Sequence, residues 1–218
     1  MEYTIVIADD HPLFRAALKS SIGLALEQPI ICEAGSIAEL QTLLEQNSSP
    51  DLTLLDLHMP GAHGLSGLIF LRGQYPDVPV VVVSASDDLQ IIQKVKKHGA
   101  AGFIPKSTPL KDLKTAILNI LQGENWWPDN FQAVESQETS NIETQLATLT
   151  PQQFRVLGMI SEGLLNKQIA HELKVSEATI KAHVTAIFKK LGVRSRTQAA
   201  IAIRELEIDI PGQDTQDQ

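Results

Sequence analysis

The sequence predicts an α/β protein in which a doubly wound, five-stranded parallel sheet is followed by a small all-helical domain. Three observations predict this fold class. Short hydrophobic runs alternate with helical patterns through residue 122, reactive polar residues stand at or beside the ends of most runs, and no strand-like run follows residue 149. Parallel strands are joined by helical crossovers and bind ligands outside their carboxyl ends, so these polar residues should share one crevice.

The first half contains the predicted strands and clear helix ends. Pro12 suits a first helical position, and Ser36 with Glu39 forms a capping box. Gly99 and Gly123 stand where helices should stop. The predicted strands lie in the hydrophobic runs Tyr3–Ala8, Ile30–Ile31, Leu52–Leu55, Val78–Val83 and Gly102–Pro105.

The pattern changes after residue 122. Ser136–Gln145 is polar and without periodicity, which predicts a linker, and Trp126-Trp127 just before it should pack against one of the domains. Thr150-Pro151 opens a helix, with Gln153 completing a capping box. We therefore predict a sheet domain over 1–122, a linker over 123–148, a helical domain over 149–207 and a disordered tail over 208–218.

The charge of the chain is unevenly distributed. Residues 1–146 hold 9 Lys and Arg against 18 Asp and Glu, whereas residues 147–207 hold 9 against 5. An acidic N-terminal part and a basic C-terminal part predict separate partners, and the basic part is suited to binding phosphates. The single cysteine, Cys32, excludes an intramolecular disulfide. With no signal peptide and no apolar stretch long enough to span a bilayer, we expect a cytoplasmic protein without a membrane partner.

The predicted crevice would bring together three carboxylates, a hydroxyl and an amine. Asp9, Asp10 and Asp56 would repel one another, and a hard cation such as Mg²⁺ removes that penalty. Asp56 is the candidate nucleophile for phosphorus, Lys106 would neutralise charge on the transferring group, and Ser84 could bond a phosphoryl oxygen. The histidines His11, His63 and His98 show no metal-ligand spacing, and we expect them to be surface or capping residues.

Residues 1–122 resemble a two-component receiver domain, which has a flavodoxin-like fold. The motifs that carry the resemblance are Ala8-Asp9-Asp10-His11-Pro12, Leu55-Asp56-Leu57-His58-Met59-Pro60-Gly61, Val83-Ser84-Ala85 and Pro105-Lys106-Ser107. The resemblance implies that a partner histidine kinase phosphorylates Asp56.

The same resemblance implies roles for the surrounding residues. Mg²⁺ would be held directly by Asp10, Asp56 and the main-chain carbonyl of His58, with Asp9 acting through water. Ser84 would be the switch residue that closes on the phosphoryl group. Phe103, three residues before Lys106, would be the ring that then turns inward, and it lacks the hydroxyl of the Tyr that the family often has there.

The basic half contains a helix with a buried stripe and a polar basic face. Ile180, Val184, Ile187 and Leu191 repeat at helical spacing, while Lys181, Thr185 and Lys189 lie four apart on another face. Such a helix after a tight turn could enter the DNA major groove, although periodicity alone fits an ordinary amphipathic helix better.

Residues 149–204 resemble the LuxR-type helix-turn-helix. The matching motifs are Leu149-Thr150-Pro151, Glu162-Gly163-Leu164, Asn166-Lys167-Gln168-Ile169-Ala170, Thr179-Ile180-Lys181-Ala182-His183-Val184 and Lys190-Leu191-Gly192-Val193-Arg194-Ser195-Arg196-Thr197-Gln198-Ala199. The resemblance implies that Lys181, Ala182 and Thr185 read base edges. The residues nearer the phosphates would be Asn166, Lys167, Thr179, Lys189 and Arg194. The last helix, Thr197–Glu205, is expected to expose Ala199, Ala200 and Ile203, either to pair two DNA-binding domains or to complete the core of one.

Together the two resemblances indicate a NarL/FixJ-type response regulator. It would be a transcription factor, not an enzyme beyond phosphoryl transfer to its own Asp56 and hydrolysis of that acyl phosphate. Its partners would be a histidine kinase, double-stranded DNA and, on activation, a second copy, with RNA polymerase a further candidate. The activating step would either uncover the recognition helix or promote dimerisation. Two alternatives stay open: a phosphorylation-independent DNA-binding regulator, and a Mg²⁺-dependent phosphatase.

Overall fold

The first half of the chain forms a five-stranded parallel sheet. The computed structural model describes residues 2–46, 50–129, 131, 141–204 and 206. Every strand pair is parallel, in the spatial order β2-β1-β3-β4-β5, so the predicted sheet is confirmed. The strands are β1 (Thr4–Ala8), β2 (Ile30–Ala34), β3 (Leu52–Asp56), β4 (Val80–Ser84) and β5 (Gly102–Pro105).

Four helices connect successive strands, a fifth follows β5, and together the five cover both faces of the sheet. They are α1 (Pro12–Ala25), α2 (Ile37–Gln46), α3 (Ser66–Gln74), α4 (Leu89–Lys97) and α5 (Leu110–Leu121). Strands β3 and β4, both in the interior of the sheet, are buried along their whole length, as expected for apolar strands covered on both faces. Helix α1 begins at Pro12 as predicted, and Gly99 has a φ of +76° just after α4, a conformation that favours glycine.

All the regular secondary structure described in the second half of the chain is helical. It contains α7 (Pro151–Ser161), α8 (Asn166–Glu172), α9 (Glu177–Lys190) and α10 (Arg196–Arg204). The capping box predicted at Thr150 and Gln153 opens α7. In α9, Ile180 and Ile187 are fully buried and Val184 is partly buried, which confirms the predicted stripe.

A helix that the sequence did not indicate precedes this domain. Helix α6 (Asn141–Ala147) lies at the end of the segment predicted to be an irregular linker. Leu146 is 1% exposed, and the Ala147 carbonyl accepts a 3.2 Å hydrogen bond from Gln74 Nε2 at the end of α3. A seven-residue polar segment is a weak helix former alone, so packing on α3 accounts for α6. The predicted tail, 208–218, and the start of the polar linker segment lie outside the described residues.

The two halves pack against each other. The rings of Phe70 in α3 and Phe154 in α7 are stacked with centroids 4.3 Å apart, and both side chains are fully buried. Ser161 Oγ lies 2.5 Å from His63 Nε2, so His63 is an interdomain residue instead of a free surface residue. One apolar cluster therefore continues from the sheet domain into the helical domain.

Within the part of the chain that the structure describes, no helix has the length and apolar character needed to cross a membrane.

Candidate functional site

The ends of four strands bring the predicted chemical groups to one edge of the sheet. Asp9 and Asp10 directly follow β1. Asp56 and Ser84 are the last residues of β3 and β4, and Lys106 directly follows β5. Asp56 and Lys106 line a crevice of about 490 Å³, whose wall also includes His11, Leu13, Phe14, Ala17, His58 and Ala85.

Lys106 pairs with two carboxylates at the base of this crevice. Its Nζ lies 2.8 Å from Asp56 Oδ2 and 2.8 Å from Asp9 Oδ2. Both aspartate side chains are only 1% exposed, while the Lys106 side chain is 16% exposed. Two nearly buried negative charges would be costly alone, and the lysine supplies the cation that compensates them.

Asp56 and Lys106 each stabilise the charged form of the other. Burial alone raises the pKa of Asp56, but hydrogen bonds from His58 and the contact with Lys106 outweigh it and lower the pKa below its ordinary value. Burial alone lowers the pKa of Lys106, but its bonds to Asp56 and Asp9 outweigh it and raise the pKa. Asp56 is therefore an ionised, partly charge-compensated carboxylate at neutral pH.

The donor atoms around Asp56 fit a divalent cation. One ligand atom from each of Asp9, Asp10, His11 and Asp56 can be chosen so that all lie within 4.8 Å of one another. Carboxylate oxygens are the ligands that Mg²⁺ prefers. His11 is an exposed N-cap residue of α1, as expected, but its Nδ1 also lies 2.7 Å from Asp10 Oδ1. The three aspartates thus form an oxygen-rich site that a hard cation would complete.

The two predicted switch residues are fully buried. Ser84 Oγ accepts a 3.2 Å hydrogen bond from the Ser86 amide, and the Ser84 carbonyl accepts a 2.7 Å bond from the Lys106 amide. Phe103, in the middle of β5, is 0% exposed, and its ring belongs to the apolar cluster that reaches the helical domain. The structure therefore shows the ring of Phe103 in the inward position.

The predicted base-reading residues lie together on α9. Lys181, Ala182 and Thr185 are all exposed. Lys181 Nζ forms a 3.1 Å ion pair with Glu177, and the Thr185 hydroxyl donates to the Lys181 carbonyl. The half of the chain that contains the sheet does not cover these side chains.

The predicted phosphate-contacting residues lie on and around α9, near the exposed Lys181, Ala182 and Thr185. Lys167, Thr179, Lys189 and Arg194 are exposed. Asn166 is half-buried, and its Oδ1 accepts a 3.3 Å bond from Arg196 Nη1. Arg196 also donates to the Leu164 carbonyl, so it supports the start of α8, a role that sequence reasoning missed.

The expectation for the last helix was wrong in part. Ala199 and Ile203 were expected to be exposed, but they are 0% and 1% exposed because this face of α10 packs on α7. Ala200 is intermediate, and Ile201 is the large apolar residue exposed at 51%. Of the two roles left open for this helix, the structure shows the core role.

Comparisons with known proteins match both halves. A family model described as the response regulator receiver domain matches residues 5–118, and one described as bacterial regulatory proteins, luxR family, matches residues 147–203. The chain is 40% identical over 215 residues to a glycerol metabolism activator of Pseudomonas putida, covering 94% of this chain and 96% of that protein. It is 33% identical over 209 residues to the nitrate/nitrite response regulator protein NarL of Escherichia coli K12, with the same coverage.

Solved structures show the same fold. RcsB from Salmonella enterica serovar Typhimurium, bound to the promoter P1flhDC in the presence of a phosphomimetic, has a TM-score of 0.54 at 22% identity. That similarity covers 94% of this chain and 98% of the RcsB chain. The receiver domain of a NarL from Mycobacterium tuberculosis has a TM-score of 0.52 at 30% identity, over 56% of this chain and 98% of its own.

Proposed function

Because this chain belongs to the NarL-type two-component response regulators, phosphorylation-controlled transcription regulators with a receiver domain and a LuxR-type DNA-binding domain, we propose how its residues perform that function. Asp56 is the phosphoryl acceptor. The observation that carries this assignment is the pairing of its buried, ionised carboxylate with Lys106 at 2.8 Å beside two further aspartates.

The chemistry follows from the positions of these groups. A carboxylate oxygen of Asp56 attacks the phosphorus of a phosphohistidine on the partner kinase, and the P–N bond breaks as the O–P bond of the acyl phosphate forms. Lys106 then pairs with a phosphoryl oxygen, and the Ser84 hydroxyl donates to another. The ring of Phe103 then occupies the inward position next to the displaced Ser84.

The metal site and its ligands belong to this proposal. Asp10, Asp56 and the carbonyl of His58 would hold Mg²⁺ directly and Asp9 would do so through water. When bound there, Mg²⁺ supplies positive charge that neutralises the transferring phosphoryl group. The chain is not otherwise an enzyme; hydrolysis of its own acyl phosphate ends the signal.

The DNA-binding half would use the residues exposed on and around α9. Lys181, Ala182 and Thr185 read base edges, whereas Asn166, Lys167, Thr179, Lys189 and Arg194 contact phosphates, which position the protein on the duplex. Two copies bind paired half-sites in the cytoplasm, with RNA polymerase a further partner. The proposed domain boundaries are 1–122, 123–148, 149–207 and 208–218, and the matched spans support the two domains.

The acceptor is tested by phosphorylating the full chain with acetyl phosphate and Mg²⁺. We expect one phosphate on the wild-type chain, none on Asp56→Asn, and one on the control Asp87→Asn, which changes an exposed carboxylate. Genome-wide footprinting with and without beryllofluoride then measures regulation. If Asp56→Asn kept the phosphate, the acceptor would be misassigned. If the wild-type and Asp56→Asn chains bound the same sites equally with and without beryllofluoride, the phosphorylation-independent alternative would be supported.

A further inference from the structure

The acidic loop that follows β1 is held by a side chain from helix α1. Arg15 Nη1 donates a 2.5 Å hydrogen bond to the main-chain carbonyl of Asp9. Arg15 Nε donates a 3.3 Å bond to Glu33 Oε2 in β2, the edge strand beside β1. The guanidinium of Arg15 therefore joins the end of β1 to its neighbouring strand from the first turn of α1.

The carbonyl that Arg15 bonds belongs to the peptide group between Asp9 and Asp10. A peptide group is planar, so a bond to its oxygen limits rotation of the plane that also contains the Asp10 nitrogen and Cα. The Asp9 amide donates to the Ala34 carbonyl at 3.0 Å. Both polar groups of the Asp9 main chain are thus bonded, and the chain enters Asp10 from a fixed orientation.

The charge of Arg15 is compensated outside the crevice. Its carboxylate partner is Glu33, which also pairs with Lys19 at 2.5 Å. The Glu33 and Lys19 side chains are 37% and 47% exposed, and ion pairs at such exposure contribute little to stability. A role in folding alone therefore explains this arrangement poorly, whereas orientation of the acidic loop follows directly from the bond to Asp9.

We propose that Arg15 is a positioning residue for the metal site: through the Asp9 carbonyl, it holds the Asp9–Asp10 peptide in the orientation that brings both carboxylates to one site. A planar guanidinium suits this role because it can bond the Glu33 carboxylate and the Asp9 carbonyl at the same time. Arg15 acts through the main chain of Asp9 and is not a catalytic residue. This inference rests on the proposed function, in which Mg²⁺ is the cation that these carboxylates hold.

The Mg²⁺ affinity of the full chain, measured by isothermal titration calorimetry at pH 7, tests this role. Arg15→Met removes the bond to Asp9 and should weaken Mg²⁺ binding about tenfold, the lower end of the loss expected when a group that orients a metal ligand is removed. Loss of a positive charge beside an acidic site would by itself strengthen cation binding. The direction of the change therefore separates positioning from simple electrostatics.

Two further variants separate the bond from the charge. Lys19→Met removes the other cation bonded to Glu33, with the same change in net charge, but leaves the bond from Arg15 to Asp9 in place. Its Mg²⁺ affinity should stay within about twofold of wild type, because solvent and salt screen an exposed charge. Arg15→Lys keeps the charge but replaces the fork by a single ammonium, and it should weaken Mg²⁺ binding by about threefold or more. This milder variant also covers the case in which Arg15→Met does not fold.

Phosphorylation by acetyl phosphate supplies a second readout. The Mg²⁺ concentration that gives the half-maximal rate should rise about tenfold in Arg15→Met. The rate at saturating Mg²⁺ should stay close to that of wild type, because excess cation compensates for a poorly oriented ligand. Loss of folded protein would lower the saturated rate instead, and circular dichroism of each variant records the folded fraction.

Mg²⁺ binding by wild type distinguishes the possible failures. If wild type binds Mg²⁺ and both Arg15 variants bind it equally well or more tightly, the positioning role is overturned and the proposed function stands. A loss of affinity in Lys19→Met as large as that in Arg15→Met also overturns it, because the charge around Glu33 is then the cause. If wild type does not bind Mg²⁺, the metal site of the proposed function is contradicted, and the positioning role is rejected with it.

Discussion

Replacement of Lys106 by methionine tests the charge balance of the crevice. The variant keeps the length of the side chain but removes the cation that lies 2.8 Å from both Asp9 and Asp56. Breaking a buried ion pair by removing one partner costs about 3–5 kcal/mol, and the carboxylates here are 1% exposed. We expect the free energy of unfolding at pH 7, without Mg²⁺, to fall by about 3 kcal/mol, the lower end of that range, because the crevice opens to solvent.

The pH dependence of the same variant follows from the pKa directions. In wild type the pKa of Asp56 is lowered, so its stabilising contribution is present above the unfolded value of about 3.9 and is lost as pH falls through the folded value. Without Lys106, burial and the neighbouring aspartates raise the pKa of Asp56 instead, and the variant loses stability as pH rises through that raised value. The difference between wild type and variant should therefore be smaller at pH 5 than at pH 7.

Urea unfolding followed by circular dichroism measures both effects. Mg²⁺ should stabilise the variant more than wild type at the same subsaturating concentration, because cation binding replaces the lost charge. Lys111→Met, on an exposed position of α5, is the control and should change stability by less than about 0.5 kcal/mol. A loss below about 1 kcal/mol for Lys106→Met, or a larger difference at pH 5, would refute the charge-balance reasoning.

Three further predictions concern the interface and the helical half. Phe154→Ala removes a fully buried ring stacked on Phe70 and should lower the free energy of unfolding by about 3–5 kcal/mol in urea; a change below about 1 kcal/mol would contradict the interdomain packing. Lys181→Ala should weaken binding to a footprinted site by about 1–3 kcal/mol with an unchanged urea midpoint, and equal loss on all DNA sequences would remove Lys181 from the base-reading set. Burial, assisted by the charge of Lys97, lowers the pKa of His98, although Glu143 opposes this effect. The free energy of unfolding should therefore decline as pH falls below about 6.5, because the unfolded state then binds a proton that the folded state does not. His98→Gln should flatten that decline, and an unaltered slope would exclude His98 as its source.

The crevice could be predicted because its positions depend on short local patterns. A hydrophobic run that ends in Asp56 and another that is followed by Lys106 place both residues at the carboxyl edge of any parallel sheet, although they are 50 positions apart. The capping box at Thr150 and the buried stripe of α9 were predictable for the same reason, since each lies within a few helical turns.

The features that the sequence did not indicate depend on packing between distant segments. Helix α6 exists because α3 offers it a surface, and Ala199 is buried because α10 meets α7 on that side. A helical pattern identifies an apolar face but not the neighbour that covers it. The contacts of His63 and His98 are of the same kind, because a single histidine carries no periodic signal of its partner.

The exposed face of α9 has a consequence for which DNA sites respond to phosphorylation of the regulator. Lys181, Ala182 and Thr185, which we propose to read base edges, are exposed while the two halves are packed together. Coupling between two binding events is reciprocal, and a ligand with equal affinity for both states shifts neither. A half-site that bound both arrangements of the two halves equally would be a neutral ligand of this regulator, and responsiveness to phosphorylation would then depend on promoter architecture instead of base sequence.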